Sequence, residues 1–282
     1  MPSPDPATPP PIHIDNPADP RLADYANLKD AVLRDEEFRG VRGRFIAESE
    51  LVVRTLIDSP FSVHSVLIEA SCLDRLADAF ARLPAATPVF TAPRRVLESV
   101  TGFAFHRGVL ACGSRGEPTD WRKVAAGARL LVIAERIANA DNIGAIFRNT
   151  ACLAGTDAAV LLTPECCDPF YRKALRVSIG HCLRLPFATI DGWPGSLADL
   201  HAAGFVSVAL TPGKGSVDLH NWAANARNDP QRLALLVGAE GPGLSPETLG
   251  DAKERVRIPM AQGADSLNVA TALAVVLSRV QR

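Results

Sequence analysis

The chain has 282 residues, 47% of them hydrophobic, enough to bury a sizeable core in one large or two ordinary domains. A formal net charge of −1 excludes the enveloping positive field of strongly basic nucleic-acid binders, and no apolar run is long enough to span a bilayer. The N-terminus has no basic stretch followed by an apolar one, so no secretory signal is read and a cytoplasmic protein is expected.

Residues 1–20 (MPSPDPATPPPIHIDNPADP) are proline-rich with almost no apolar periodicity, which predicts a flexible, extended tail over 1–24. Residues 1–37 hold three basic residues against eight acidic ones, so the remainder is mildly basic. Arg39, Arg42, Arg44, Arg94, Arg95, Arg107, Arg115, Arg122 and Lys123 are candidates for phosphate contacts, with an ordinary solvated surface as the competing reading. From 25 to 115, strands and helices alternate in a small α/β unit. Arg44–Ala47, Val63–Ile68, Pro88–Thr91 and Val109–Cys112 read as strands, and Ser71 is placed to cap a helix reaching Leu83. Residues 116–127, with Gly116, Pro118 and Gly127, read as a linker.

The second domain spans 128–282. Strands are predicted at Leu130–Ala134, Ala159–Leu162, Leu183–Ala188, Phe205–Leu210, Leu233–Val237 and Arg255–Ile258, with helical patterns at 143–154 and 267–281. Nearly continuous apolar strands alternating with helices imply a mainly parallel sheet covered on both faces. The six cysteines form no C-x-x-C pair and fit no common zinc spacing, so they are read as reduced thiols, several of them in apolar stretches, and no metal is expected.

Chemistry concentrates in three segments that follow strands. In the first, Asn142 and Gly144 lie at a strand-to-helix turn, and Arg148 follows one helical turn later. A guanidinium on an otherwise apolar helix needs a partner or a site, although a surface-facing arginine explains the pattern equally well. In the second, a buried strand runs into Gly238, Glu240, Gly241 and Gly243, where glycines let backbone groups approach a nucleotide closely. It matches neither the dinucleotide fingerprint nor a P-loop, and alone it is a weak signal. In the third, a strand ending at Ile258-Pro259-Met260 leads to Ser266 and Asn268 at the start of a buried helix. Buried polar groups there need partners, and a plain N-cap with a packing asparagine is the alternative.

Taken together, the segments resemble the SpoU family of RNA ribose methyltransferases, within the SPOUT class. Asn142, Gly144 and Arg148 match its Asn-x-Gly-x-x-x-Arg pattern. Gly238, Glu240, Gly241, Gly243 and Leu244 match Gly-x-Glu-Gly-x-Gly-Leu, and Ile258, Pro259, Met260, Ser266, Leu267, Asn268 and Val269 match Ile-Pro-Met followed by Ser-Leu-Asn-Val. Two positions depart from the usual pattern: Asn139-Ala140 replaces a frequent Asp-Pro, and Ala239 replaces a frequent asparagine. The likeness covers about 128–282. More loosely, 38–115 resembles the small substrate-binding domain that precedes the catalytic one, its end marked by Phe105 to Ala111.

The resemblance implies an α/β-knot domain with a trefoil knot, preceded by a small α/β RNA-binding domain. It implies S-adenosylmethionine as methyl donor, a homodimer with the active site near the subunit interface, and a structured ribosomal or transfer RNA methylated on a ribose 2′-hydroxyl. Leu210, Thr211, Gly238, Glu240, Gly243, Ile258, Met260 and Leu267 become candidate donor contacts. Arg148, Asn142, Glu240, Ser266 and Asn268 become candidate catalytic groups, and Arg42, Arg44, Arg107 and Arg148 candidate RNA contacts. A base-methylating enzyme of the same class, and a non-catalytic RNA-binding protein on this scaffold, are the alternatives.

Overall fold

The structure is a computed structural model, and it describes residues 10–26, 43–102, 108–213, 215–226, 232–263 and 266–280. The chain divides into two compact units, 1–117 with 170–184, and 118–169 with 185–282.

In the first unit, a five-stranded mixed sheet has the order β1-β4-β3-β5-β2, from β1 (Ile12–His13), β2 (Arg44–Glu48), β3 (Val63–Glu69), β4 (Val89–Ala92) and β5 (Val109–Ser114). The antiparallel β2–β5 and β3–β5 pairs are joined by parallel β3–β4 and β1–β4 pairs. The expectation of a flexible tail through residue 24 is corrected here. β1 adds to the sheet edge, and a 3-10 turn at Pro20–Tyr25 follows. Ile14, Leu22 and Tyr25 are buried in the core, and the Tyr25 hydroxyl lies 2.7 Å from Ser65 Oγ. Three apolar side chains among the prolines supply enough burial to order a segment whose composition suggested none. Ser71 does not cap a helix; it lies inside a 3-10 segment, Ala70–Leu76, that begins after Glu69 and leads into a short helix at Ala77–Phe80.

Residues 170–184 belong to this unit although residues 118–169 before them belong to the other. They bring Phe170 onto Phe45, stacked with ring centroids 4.7 Å apart, and Arg172 and Arg176 onto the buried Glu48 carboxylate at 3.7 and 3.4 Å. The strand predicted from Leu183 therefore starts later, at Phe187, because His181–Leu183 form a 3-10 turn of this excursion.

The second unit is a seven-stranded sheet in which every neighbouring pair is parallel, ordered β10-β12-β9-β11-β6-β7-β8. Its strands are β6 (Leu130–Glu135), β7 (Ala158–Leu162), β8 (Phe187–Thr189), β9 (Phe205–Leu210), β10 (Val217–Asp218), β11 (Arg232–Gly238) and β12 (Glu254–Arg257). Leu131 and Ile133 of β6, with Ala234 and Leu236 of β11, pack on one face with Trp121, Val124, Leu197 and Leu200. The intervening Val132, Ala134, Leu235 and Val237 are equally buried, as the two-residue period of a doubly covered sheet requires. The Ala140–Ala154 and Val269–Val280 helices pack against each other. Part of the expected linker, Trp121–Gly127, is a helix: Asp120 accepts from Arg122 N–H at 2.9 Å, and Trp121 is buried with its indole donating to Asp191 at 2.6 Å. Among the described residues no helix is long and apolar enough to cross a membrane, and no three His, Cys, Asp or Glu side chains are grouped to hold a metal ion.

Candidate active site

Loops at the carboxyl ends of β9, β11 and β12 surround a cavity of about 520 Å³. Crevices at strand carboxyl ends are where parallel sheets bind ligands, because there the loops, free of sheet pairing, converge with exposed backbone donors and acceptors. All eight candidate donor contacts line it: Leu210 and Thr211 after β9, Gly238, Glu240 and Gly243 after β11, and Ile258, Met260 and Leu267 after β12. Leu267 is 39% exposed, an apolar side chain at the edge of an open cavity.

The β11 loop folds back on its own start. Gly243 N–H donates to the Ala239 carbonyl at 2.9 Å, and Gly241 and Gly243 adopt φ of +86° and +69°, which favour glycine. A Cβ on Gly238 would sit 2.3 Å from Gly243 C and from Leu244 N. Both contacts are backbone, so the close return of the loop requires glycine at 238.

Three of the five candidate catalytic side chains meet at one edge of the cavity. Asn142 Nδ2 donates to Glu240 Oε1 at 3.0 Å, and Asn268 Nδ2 lies 2.8 Å from Glu240 Oε1 and 2.9 Å from Asn142 Oδ1. Asn268 Oδ1 accepts from Ala270 and Thr271 N–H at 3.0 and 3.2 Å, which fixes the direction of its amide. The helix cap therefore forces Nδ2 toward Asn142 and Glu240, and the cap and the cluster are one device rather than alternatives. Ser266 lines the cavity but does not cap the helix, since Asn268 does. Likewise Asn142 is not the cap of its own helix. Asn139 accepts from Asp141 and Asn142 N–H at 2.8 and 3.4 Å, leaving the buried Asn142 amide free to point at Glu240.

Arg148 is the exception. It is exposed, makes no hydrogen bond or ion pair among the described residues, and does not line the cavity of its own chain. Six residues past Asn142, it stands about 9 Å along the helix and about 120° around it from the amide cluster. Of the other candidate RNA contacts, Arg42 and Arg107 lie outside the described residues. Arg44 is largely buried and ion-paired with Asp24, so its charge is neutralised inside the first unit rather than displayed.

Several residues that support the site escaped sequence reasoning. Asn149 Nδ2 donates to the Ala270 carbonyl at 2.7 Å, tying the first segment to the start of the last helix. Cys166 Sγ donates to the Ala134 carbonyl at 3.1 Å and accepts from Ile137 N–H at 3.3 Å, holding the turn that leads to Asn139. Burial pushes its thiol pKa up. Glu135, at the end of β6, is 2% exposed and receives hydrogen bonds from three residues, Trp193, Ser245 and Thr248. A lone acidic residue at the end of an apolar strand was the available signal.

The model of the SpoU rRNA Methylase family matches residues 129–278. An uncharacterized tRNA/rRNA methyltransferase of Mycobacterium tuberculosis is 41% identical over 260 residues, covering 92% of this chain and 88% of that protein. A protein of Synechocystis named in the same way is 36% identical over 57% of this chain and 56% of its own length. Among solved structures, an AdoMet-bound rRNA methyltransferase of Sinorhizobium meliloti matches 96% of this chain and 97% of its own, with a TM-score of 0.74 at 23% identity. The SpoU methyltransferase AviRb of Streptomyces viridochromogenes, in complex with AdoMet, gives a TM-score of 0.73 at 22% identity over 93% and 97%.

Proposed function

Because the chain belongs to the SpoU rRNA methylase family, an RNA methyltransferase family that uses S-adenosylmethionine, we propose that it transfers the methyl group to a ribose 2′-hydroxyl of ribosomal or transfer RNA. The observation that carries this reading is the Asn142–Glu240–Asn268 cluster at the edge of the cavity. S-adenosylmethionine, when bound, supplies an electrophilic methyl carbon, and the remaining work is positioning and electrostatics.

The cavity residues fit such a donor. Val237, Val256, Leu210 and Leu267 offer apolar walls, while the backbone around Gly238 and Ile258 offers polar groups for an adenine and a ribose. In the amide cluster both donors converge on one glutamate oxygen, Oε1. Oε2 takes neither of these bonds, and we assign it as the acceptor of the incoming hydroxyl's proton. A ribose hydroxyl becomes nucleophilic as its proton is lost, and the developing alkoxide needs a cation.

Arg148 is the cation in this reading. A second copy of the chain would bring the guanidinium to the cavity, which is the role we assign to a homodimer with the site at its interface. The unpaired, exposed setting of Arg148 supports it, since an arginine on an apolar helix then gains its partner on assembly. Replacing Arg148 by alanine should lower turnover about a thousandfold while donor binding is kept, the size expected for loss of one group that stabilises transition-state charge. Mixing Arg148→Ala subunits with Gly238→Val subunits tests the sharing directly. Mixed dimers regain activity if the arginine acts across the interface and stay inactive if it acts within its own chain. Near-normal turnover by Arg148→Ala alone would refute the role.

A further inference from the structure

We propose that Glu135 is a positioning residue for the methyl donor: it holds the glycine loop of the cavity in its binding shape without touching the ligand. The proposal rests on the reading that this cavity is the donor site. Glu135 ends β6 directly opposite Gly238 of β11 in the parallel register, so it stands beside the first residue of the loop. Its side chain is not part of the cavity wall. Instead it reaches to the far end of the same loop.

Glu135 Oε1 accepts from Ser245 N–H at 2.9 Å, and Oε2 accepts from Thr248 Oγ1 at 2.6 Å and Trp193 Nε1 at 3.0 Å. Ser245 Oγ in turn donates to Thr248 Oγ1 at 2.8 Å and accepts from Thr248 N–H at 3.2 Å. The neighbouring Arg136, held at φ +56°, places a guanidinium nitrogen 3.1 Å from Oε1. Every group around this carboxylate is a donor, and a carboxylate is the side chain that can accept from all of them. The loop from 238 to 245 is thus fixed twice, at Gly238 by sheet pairing and at Ser245 by Glu135. Between those anchors it must hold the Gly243–Leu244 backbone against Gly238, where a Cβ would already collide. Releasing the Ser245 anchor lets this return open, and a loop that must be reordered on binding gives weaker binding.

Glutamine at 135 keeps the volume but turns one oxygen into an amide that faces a donor. Calorimetry with S-adenosylmethionine on the full chain should show the donor dissociation constant of Glu135→Gln raised about tenfold, the effect of one mispaired buried hydrogen bond, with RNA affinity unchanged. Ser245→Pro is the second variant. Residue 245 has φ −64°, which proline accepts, so the change removes the N–H and hydroxyl while Glu135 stays, and the same loss is expected. Arg232→Lys, which removes guanidinium bonds to the Ala125 and Ala128 carbonyls at the opposite end of β11, is the stability control. It should lower the melting temperature and leave donor affinity intact. Wild-type donor affinity in both Glu135→Gln and Ser245→Pro would overturn the proposal, and so would an equal loss in Arg232→Lys. Gly238→Ala separates the two layers: donor affinity unaffected by that change would reject the cavity as donor site, whatever Glu135 does.

Discussion

At the scale of single residues, the site depends on which end of each amide points where. Asn268 spends its oxygen on the helix start, so only its nitrogen is available to Glu240. Replacing Asn268 by aspartate keeps the helix cap and sets a carboxylate oxygen against the Glu240 carboxylate. The loss of a donor to a charged acceptor corresponds to about 2 kcal/mol of folded-state stability, so the melting temperature should fall, and turnover should fall with it as the cluster opens. A variant with normal turnover would show that this contact is incidental. Gly238→Ala acts differently, because its Cβ meets backbone that cannot turn aside. It should cost about 3 kcal/mol in thermal or denaturant unfolding, the upper range for forced overpacking, and a smaller penalty would mean that the loop yields.

These residues were legible in the sequence because each is a polar or glycine exception in an apolar context: Gly238 after LALLV, Asn268 before VATALAV, Asn142 beside IGAIF. What could not be read was partnership. Nothing in spacing tells that Asn139 rather than Asn142 caps the helix, or that Arg44 is consumed by Asp24. Such pairings depend on where distant chain segments meet, and an arginine count cannot separate an internal ion pair from a displayed charge.

At the scale of elements, β6, β7, β9 and β11 followed the sequence expectation within a residue or so, because buried parallel strands are apolar on both faces and stand out, whereas β12 (ERVR) buries only Val256. The short helices of the first unit were harder. Glu50–Ile57 and Arg94–Thr101 span only two turns each, too few for a period to be read against the neighbouring strands. One connection between elements carries a titratable group. At the end of the Leu197–Ala202 helix, His201 Nε2 lies 2.7 Å from Ser207 Oγ in β9, and that hydroxyl accepts from Lys253 N–H at 3.0 Å. The hydroxyl proton is then left to point at a neutral imidazole nitrogen. Burial, followed by the Lys253 charge, lowers the His201 pKa, with Asp251 opposing. A folded-state value below the unfolded one means that the folded protein binds fewer protons. The stabilisation is therefore full above the ordinary imidazole value of 6.5 and is lost as pH falls through the lower folded value. The melting temperature should drop on acidification across this window, and His201→Gln should drop less. An equal drop in both proteins would exclude His201 as a contributor.

At the scale of the whole molecule, the chain passes between its two units three times, near 117, 169 and 184. The single linker expected at 116–127 missed the second and third passages. The excursion follows the apolar β7 and carries Arg172, Lys173, Arg176 and Arg184 with no acidic residue, which reads equally well as ordinary surface. Its purpose in the first unit is structural: the buried Glu48 needs the cations of Arg172 and Arg176, and Phe45 needs Phe170. A fragment ending at residue 117 leaves Glu48 without these cations and uncovers Phe45. Losing cationic partners of a buried carboxylate together with the ring that covers Phe45 weakens a small domain whose total stability is only marginal. Amide hydrogen exchange should find β2 poorly protected in that fragment and well protected in the full chain. Full protection in the fragment would show that the excursion is dispensable.

The proposed activity is defined by the atom that receives the methyl group. Purified protein should transfer labelled methyl from S-adenosylmethionine to RNA taken from cells lacking it. A 2′-O-methyl group blocks cleavage of the adjoining phosphodiester by alkali, so after alkaline hydrolysis the label should remain in dinucleotides. Label recovered in a modified base of single nucleotides would contradict the central claim and leave a base-methylating enzyme on the same scaffold.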